Sequence, residues 1–186
     1  MFLRGLKGTM YEGGIRVPGL IEWPARIVTP RVSQVPAVTS DILPTVASLV
    51  GQTIPARPLD GVDLQPLIDN SMVSRPEPIF FWSVDIDRLV GRNRSPYIAP
   101  ELQIGTTPLV KLMDGILTRN FQNFRYPRIA RDHFGGQRAV LDNDYKLIIA
   151  GSEGSGRELF NLRDDPAEQI NLVASEPAMV NALESE

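Results

Sequence analysis

Cysteine is missing from all 186 residues, and histidine occurs once, at position 133. Without cysteine the chain has no disulfide, no thiolate nucleophile and no sulfur-ligated zinc site. One histidine is too few for a multi-histidine metal site. These two shortages exclude several classes of site and leave the cellular compartment open.

An excess of positive charge is also lacking, since Lys and Arg total 19 against 22 for Asp and Glu. Nucleic-acid binders carry a basic stripe, so we expect no nucleic-acid partner. No apolar run approaches the about 20 residues of a membrane span, and we expect no membrane partner. The first eight residues break into glycine and charge, which is not the pattern of a signal peptide. Localisation stays undetermined.

The common catalytic motifs are missing as well. The sequence contains no G-x-S-x-G, no H-E-x-x-H, no Walker A and no G-x-G-x-x-G. The string Asp142-Asn143-Asp144 lacks the further spaced oxygens of a calcium loop and is typical of a tight turn. Serine hydrolases, zinc proteases and nucleotide enzymes therefore have no support.

Glycine and proline are plentiful, with 15 and 16 residues, which predicts short elements joined by many turns. In the first half we predict a short strand around Gly19 to Trp23. A helix should follow, capped by Ser40, carrying Pro44 in its first turn and stopping at Gly51.

The second half reads mainly as strands. Aromatic and β-branched residues predict a strand over Ile79 to Val84. A hairpin should run over 137–141 and 145–150, with Tyr145, Leu147 and Ile149 on one face. We also predict a strand over 158–162 and a last helix, capped by Ser175, that ends near Leu183.

The opening segment, Arg4 to Arg16, alternates cations with glycines. Such a loop brings backbone N–H groups and an ammonium close to an anion without obstruction by Cβ atoms. The other interpretation is a flexible terminus with solvated charges, and spacing alone favours it.

The segment Leu3 to Gly19 closely resembles the pattern L-R-G-x-K-G-x-x-x-E-G-G-x-R-x-P-x of formylglycine-dependent sulfatases. Further stretches are similar to the same family: Trp23-Pro24, Thr39 to Thr45, Leu59 to Leu64, Arg138 to Val140, Tyr145 to Leu147, Glu158 to Leu162, Asp165 to Glu168 and Asn171-Leu172. About Val84 to Phe134 is unmatched.

The resemblance implies a partial α/β fold, the alkaline-phosphatase-like sulfatase fold. Residues 1–70 would supply the last elements of the large mixed-sheet domain. Residues 71–186 would form a small α+β domain with an antiparallel sheet and a C-terminal helix, interrupted by an irregular loop at about 84–134. A helix made to pack on a large sheet would expose apolar surface without it.

The resemblance also implies the chemistry of sulfate-ester hydrolysis. In the family a Cys or Ser within C/S-x-P-x-R becomes formylglycine, whose hydrate attacks sulfur while a divalent cation, usually Ca²⁺, polarises the sulfate. This sequence has no C/S-x-P-x-R, and the family's metal ligands come from earlier segments. The chain would be the C-terminal part of a sulfuric ester hydrolase, without metal ligands and inactive alone.

Lys7 matches the family lysine that contacts the sulfate and the leaving oxygen, so it is the catalytic and substrate-binding candidate. Glu12 and Arg16 fall in the same segment and are expected to support the loop, pairing with each other. His133 lies outside the match and is a candidate for lining the substrate pocket or an ordinary surface residue.

The implied partners are a sulfate-ester substrate, such as a sulfated carbohydrate, and a missing N-terminal half. Two other hypotheses stay open. The chain could be a non-catalytic module that binds sulfated glycans through Lys7, Arg4 and Arg16, or a structural relative that serves assembly. Family members are commonly secreted, periplasmic or lysosomal, which does not fix the location of this chain.

Overall fold

The computed structural model describes residues 2–54, 59–83, 136–150 and 156–186, together with the backbone of 112–113 and 116–117. Two compact units are found. The first unit comprises Met1–Trp82 and Gln137–Glu186, and the second unit comprises Ser83–Gly136. The second unit contains two short antiparallel strands, β2 (Leu112–Met113) and β3 (Ile116–Leu117). His133 and most of the loop predicted at 84–134 lie outside the described residues.

Short helices dominate the N-terminal part of the first unit. Helix α1 spans Glu12–Ile15, a 3₁₀ turn over Thr39–Asp41 runs into α2 (Ile42–Leu49), and α3 spans Gln65–Ile68. Helix α2 confirms the predicted helix. Pro44 lies in its first turn, where no intrahelical donor is needed, and Gly51 follows its end with a φ of +68°.

Two sequence predictions in this part are wrong. Ser40 does not cap α2, because it lies inside the preceding 3₁₀ turn and Asp41 occupies the N-cap position, without a side-chain hydrogen bond to the helix. The strand predicted around Gly19 to Trp23 is absent, and those residues have neither helix nor strand. A strand needs a partner ladder, and this segment, led by Pro18, has none among the described residues.

The C-terminal part builds one antiparallel sheet of four strands in the order β1-β4-β5-β6. The strands are β1 (Ile79–Trp82), β4 (Arg138–Asp142), β5 (Tyr145–Ala150) and β6 (Gly156–Asn161). The predicted hairpin is confirmed, with Asp142 paired to Tyr145 and Asn143 at a φ of +50° in the turn. Asparagine tolerates this conformation better than most residues.

Both faces of the sheet are covered. On one face Val140, Leu147 and Leu159 pack with Val180 and Leu183 of helix α4 (Pro177–Ser185). Tyr145 and Ile149 pack against the same cluster, so the predicted shared face of β5 is confirmed. The predicted cap of this helix is wrong, because the Ser175 hydroxyl donates to Leu172 O and Glu176 occupies the N-cap position.

On the other face Ala139, Ile148 and Phe160 form a cluster with Met10, and Tyr11 packs against it. The sheet therefore buries residues of the N-terminal loop on the face opposite α4. No helix in the described part of the chain is long and apolar enough to cross a membrane.

Candidate functional site

Lys7 lies at the tip of a tight turn. Leu6 O accepts hydrogen bonds from Thr9 N at 3.0 Å and from the Thr9 hydroxyl at 2.8 Å. Gly8 occupies the third position of this turn with a φ of +97°, which glycine adopts without steric cost. Lys7 is exposed, and its ammonium makes no hydrogen bond or ion pair with any residue that the structure describes.

Helix α1 closes the loop behind this turn. Gly13 N donates to Arg4 O at 2.7 Å, which joins the two ends of the segment. A Cβ atom on Gly13 would lie 2.6 Å from Arg4 O, and one on Gly14 would lie 2.2 Å from Thr9 O. Both distances are shorter than real Cβ contacts, so the close approach of α1 to the loop requires glycine at both positions.

A buried charge cluster, formed by Glu12, Lys146 and Glu168, lies beneath the loop. The side chains of Lys146 and Glu168 are completely buried and that of Glu12 is 6% exposed. Lys146 Nζ lies 2.8 Å from Glu12 Oε1 and 2.5 Å from Glu168 Oε1, the second contact being an ion pair without hydrogen-bond alignment. Glu168 Oε2 accepts a 2.7 Å hydrogen bond from Glu12 N.

Arg4 holds the other end of the loop. Its guanidinium donates to Glu158 Oε1 and to the Tyr11 hydroxyl, both at 3.1 Å, and lies 4.0 Å from the centroid of the Tyr11 ring. The Tyr11 hydroxyl itself donates a short hydrogen bond to Glu158 Oε2. Burial raises the pKa of Tyr11 above its ordinary value of 10.0, and the bond to Glu158 raises it further. Tyr11 is therefore a neutral donor here.

The cations of the loop differ in their surroundings. Arg4 faces Glu158, and Arg16 Nη1 lies 3.5 Å from Glu12 Oε2. Lys7, at the tip, faces no carboxylate of the described chain. Of these three cations, Lys7 is the one whose charge the loop leaves available to an anion.

The structure brings Lys7, Glu12 and Arg16 into one loop, while His133 lies outside the described residues. Sequence reasoning missed Lys146, Glu158 and Glu168. One signal was present, since Lys146 alternates with Tyr145 and Leu147 on a strand and so points to the opposite face. That this face is also buried followed only from the packing of Met10 and Tyr11.

The resemblance implies Ca²⁺ for a complete enzyme, with ligands from outside this chain. Among the residues that the structure describes, no group of three or more His, Asp or Glu side chains could hold a metal. Ca²⁺ takes six to eight oxygen ligands, whereas Glu12 and Glu168 direct carboxylate oxygens to the Lys146 ammonium. These carboxylates therefore do not fit a calcium site.

Known proteins match part of this sequence. Bovine (Bos taurus) arylsulfatase A is 44% identical over 89 residues, which are 48% of this chain and 17% of that protein. Rat (Rattus norvegicus) steryl-sulfatase is 48% identical over 66 residues, which are 35% of this chain and 11% of that protein. The chain thus spans less than a fifth of the curated relatives that it matches. No protein-family model matches it.

A solved sulfatase structure from Bacteroides thetaiotaomicron, described with the metabolism of multiple glycosaminoglycans, superposes on 98% of this chain and on 30% of its own. The TM-score is 0.60 at 19% sequence identity. This likeness, with the antiparallel sheet and helix α4, confirms the predicted partial alkaline-phosphatase-like fold.

Proposed function

We propose that this chain, which is similar to sulfatases over part of its length, supplies a sulfate-binding cation, Lys7, to a site that hydrolyses sulfate esters. The observation that carries this proposal is the isolation of the Lys7 ammonium at the tip of a turn whose base is tied to the sheet. A cation held in this way is available to an incoming anion.

The chemistry of Lys7 suits a sulfate ester. An ammonium is a compact charge with three donors, so it binds non-bridging oxygens of the sulfate and the ester oxygen that becomes the leaving group. Negative charge grows on that oxygen as the S–O bond breaks. A fixed cation stabilises the transition state more than the ground state, which is how it would raise the rate.

Residues outside this sequence would supply the rest of the reaction. The chain contains no cysteine and no C/S-x-P-x-R, so we propose that the nucleophile and the Ca²⁺ ligands come from an N-terminal portion that this sequence does not include. The residues of this chain would orient the anion through Lys7 and hold the loop that carries it.

A sulfated carbohydrate is the substrate class that we propose. The structural neighbour described with glycosaminoglycan metabolism motivates this choice, and sugar sulfates present an exposed, fully charged group that an exposed lysine can reach.

Binding of a heparin-derived oligosaccharide to the chain tests the role of Lys7. A charge-assisted hydrogen bond contributes about 1.5–3 kcal/mol, so Lys7→Ala should weaken binding about 10- to 100-fold by titration calorimetry. Arg163→Ala removes the same charge from a side chain that is 67% exposed elsewhere, and should change the affinity less than about 2-fold. Equal losses in both variants would mean nonspecific charge attraction and would overturn the assignment of Lys7.

Hydrolysis separates the proposed enzyme from a glycan-binding module. Co-expression with a sulfatase N-terminal portion that carries the nucleophile motif should restore hydrolysis of an aryl sulfate, and Lys7→Ala should remove most of it. If glycan binding depended on Lys7 but several such portions restored no hydrolysis, the non-catalytic module would be the better description.

A further inference from the structure

The buried charge cluster of Glu12, Lys146 and Glu168 joins three separate parts of the first unit. Lys146 belongs to β5, Glu12 begins α1, and Glu168 lies between β6 and α4. Replacing buried ion pairs by well-packed apolar side chains is often neutral or stabilising, so such a cluster is weak evidence for a role in stability alone. What the cluster does specify is geometry, because Lys146 pairs with both carboxylates, and Glu168 also accepts the hydrogen bond from Glu12 N.

The backbone of Glu168 also has an unusual conformation. Its φ is +55°, a left-handed conformation that is unfavourable for a non-glycine residue. The conformation lets one residue hold both ends of the loop. Its carboxylate accepts the hydrogen bond from Glu12 N, and its carbonyl accepts one from Arg4 Nη1 at 3.1 Å.

We propose that Lys146 and Glu168 are positioning residues that fix the loop of residues 4–16 on the sheet and thereby hold Lys7 in place. Lys146 neutralises two carboxylates that would otherwise repel each other in a buried site. Glu168, held by Lys146, accepts hydrogen bonds from the backbone N–H of Glu12 at the start of α1 and from the side chain of Arg4. The part of this inference that concerns sulfate rests on the function proposed for Lys7.

The path from the cluster to Lys7 is short and continuous. Glu12 starts α1, and Gly13 N, the next residue, donates to Arg4 O and closes the loop. Gly14 lies against Thr9 O, and Thr9 in turn donates to Leu6 O across the Lys7 turn. Loosening Glu12 therefore releases the α1 contacts on which the turn rests.

Amide hydrogen exchange of the full chain distinguishes loop fixation from general stability. In Glu168→Gln, which keeps the shape of the side chain, the protection of Gly13 N and Thr9 N should fall at least about 10-fold. The amides of the β4–β5 ladder should retain their protection within about 2-fold. Lys146→Met should act in the same direction, and Glu168→Gln remains informative if the Lys146 variant fails to fold.

Heparin-oligosaccharide affinity provides the second measurement. Under the proposal, Glu168→Gln weakens binding although it leaves Lys7 unaltered, and Glu168→Asp, which keeps the charge, restores part of the loss. A uniform fall in protection across loop and sheet, or unchanged protection of the loop, overturns the positioning role. If the loop loosens while neither Lys7→Ala nor Glu168→Gln weakens binding, loop fixation stands and the proposed function of Lys7 fails.

Discussion

Arg75 and Asp41 form a bidentate ion pair in which both side chains are completely buried. Arg75 Nη1 lies 2.7 Å from Asp41 Oδ2, and Nη2 lies 2.8 Å from Oδ1. The same carboxylate accepts hydrogen bonds of 2.8 Å from Val38 N and Val62 N, and Arg75 Nε donates to Glu77 O at 2.7 Å. The pair thereby fastens the start of α2 to the segment that leads into β1.

Removing one member of this pair should destabilise the first unit strongly. Arg75→Met leaves the Asp41 carboxylate buried without its countercharge, a loss that typically costs 3–5 kcal/mol, so we expect about that decrease in the free energy of unfolding. Urea denaturation followed by circular dichroism measures it.

The control is Arg157→Met, which breaks an ion pair with Glu184 whose side chains are 44% and 27% exposed. Exposed pairs contribute about 0–1 kcal/mol, so this variant should unfold close to wild type. Similar midpoints for Arg75→Met and Arg157→Met would contradict the role of the buried pair.

The pKa of Asp41 indicates how the stability of the first unit depends on pH. Burial would raise the pKa of Asp41, but the hydrogen bonds from Arg75, Val38 N and Val62 N outweigh it and hold the pKa below the ordinary value of 3.8. A lowered folded pKa contributes stability that is present above pH 3.8 and is lost as the pH falls through the folded pKa.

Urea unfolding measured between pH 5 and pH 2 tests this linkage. The wild-type free energy of unfolding should fall in the window below pH 3.8, and Asp41→Asn should show a shallower fall because it lacks the titrating group. Parallel curves for the two proteins would show that other carboxylates govern acid unfolding.

Local patterns in the sequence predicted the features that depend only on residues close together in the chain. The Asn143 turn, the alternation of Tyr145, Leu147 and Ile149, and the stop at Gly51 all follow from the preferences of single residues. The cap predicted at Ser40 failed because a 3₁₀ turn over Thr39–Asp41 precedes α2, so that Asp41 and not Ser40 occupies the N-cap position.

Long-range contacts were beyond local patterns. Lys146 and Glu12 are 134 residues apart in sequence, and nothing near either residue indicates the other. The resemblance pointed to Lys7 and to its loop. The alternative interpretation of this segment as a flexible terminus is wrong, because residues far along the chain bind Arg4 and Glu12. The candidate site was therefore predictable as a motif, while its support was not.

Two glycines of the loop should respond differently to alanine. Gly8 has a φ of +97° and open space around its Cβ position, so Gly8→Ala meets only backbone strain, about 1–2 kcal/mol. Gly14 has an ordinary φ, but its Cβ would lie 2.2 Å from Thr9 O and 2.7 Å from Leu6 O. Gly14→Ala must displace backbone and should cost more than Gly8→Ala.

Loop protection in hydrogen exchange and urea midpoints compare the two variants. We expect Gly14→Ala to lower the protection of Thr9 N further than Gly8→Ala does, since α1 has to move away from the turn. The reverse order would mean that the loop in solution does not pack against α1 as described.

Helix α2 and the residue after it present an apolar face to solvent, since Ile42, Val46 and Val50 are 61%, 50% and 61% exposed. An unpartnered face of this kind promotes association. Val46→Gln replaces an exposed β-branched residue with a better helix former, so the free energy of unfolding should change by less than about 0.5 kcal/mol while self-association in sedimentation falls.

Ala47→Gln, one position along the same helix, is the matched control. Ala47 is 9% exposed, and forcing a larger polar side chain into that position should cost about 1–3 kcal/mol. The contrast depends on the α2 face being free in solution, because a covered Val46 would behave like Ala47. Equal destabilisation by the two substitutions would therefore show that this face is packed against another surface.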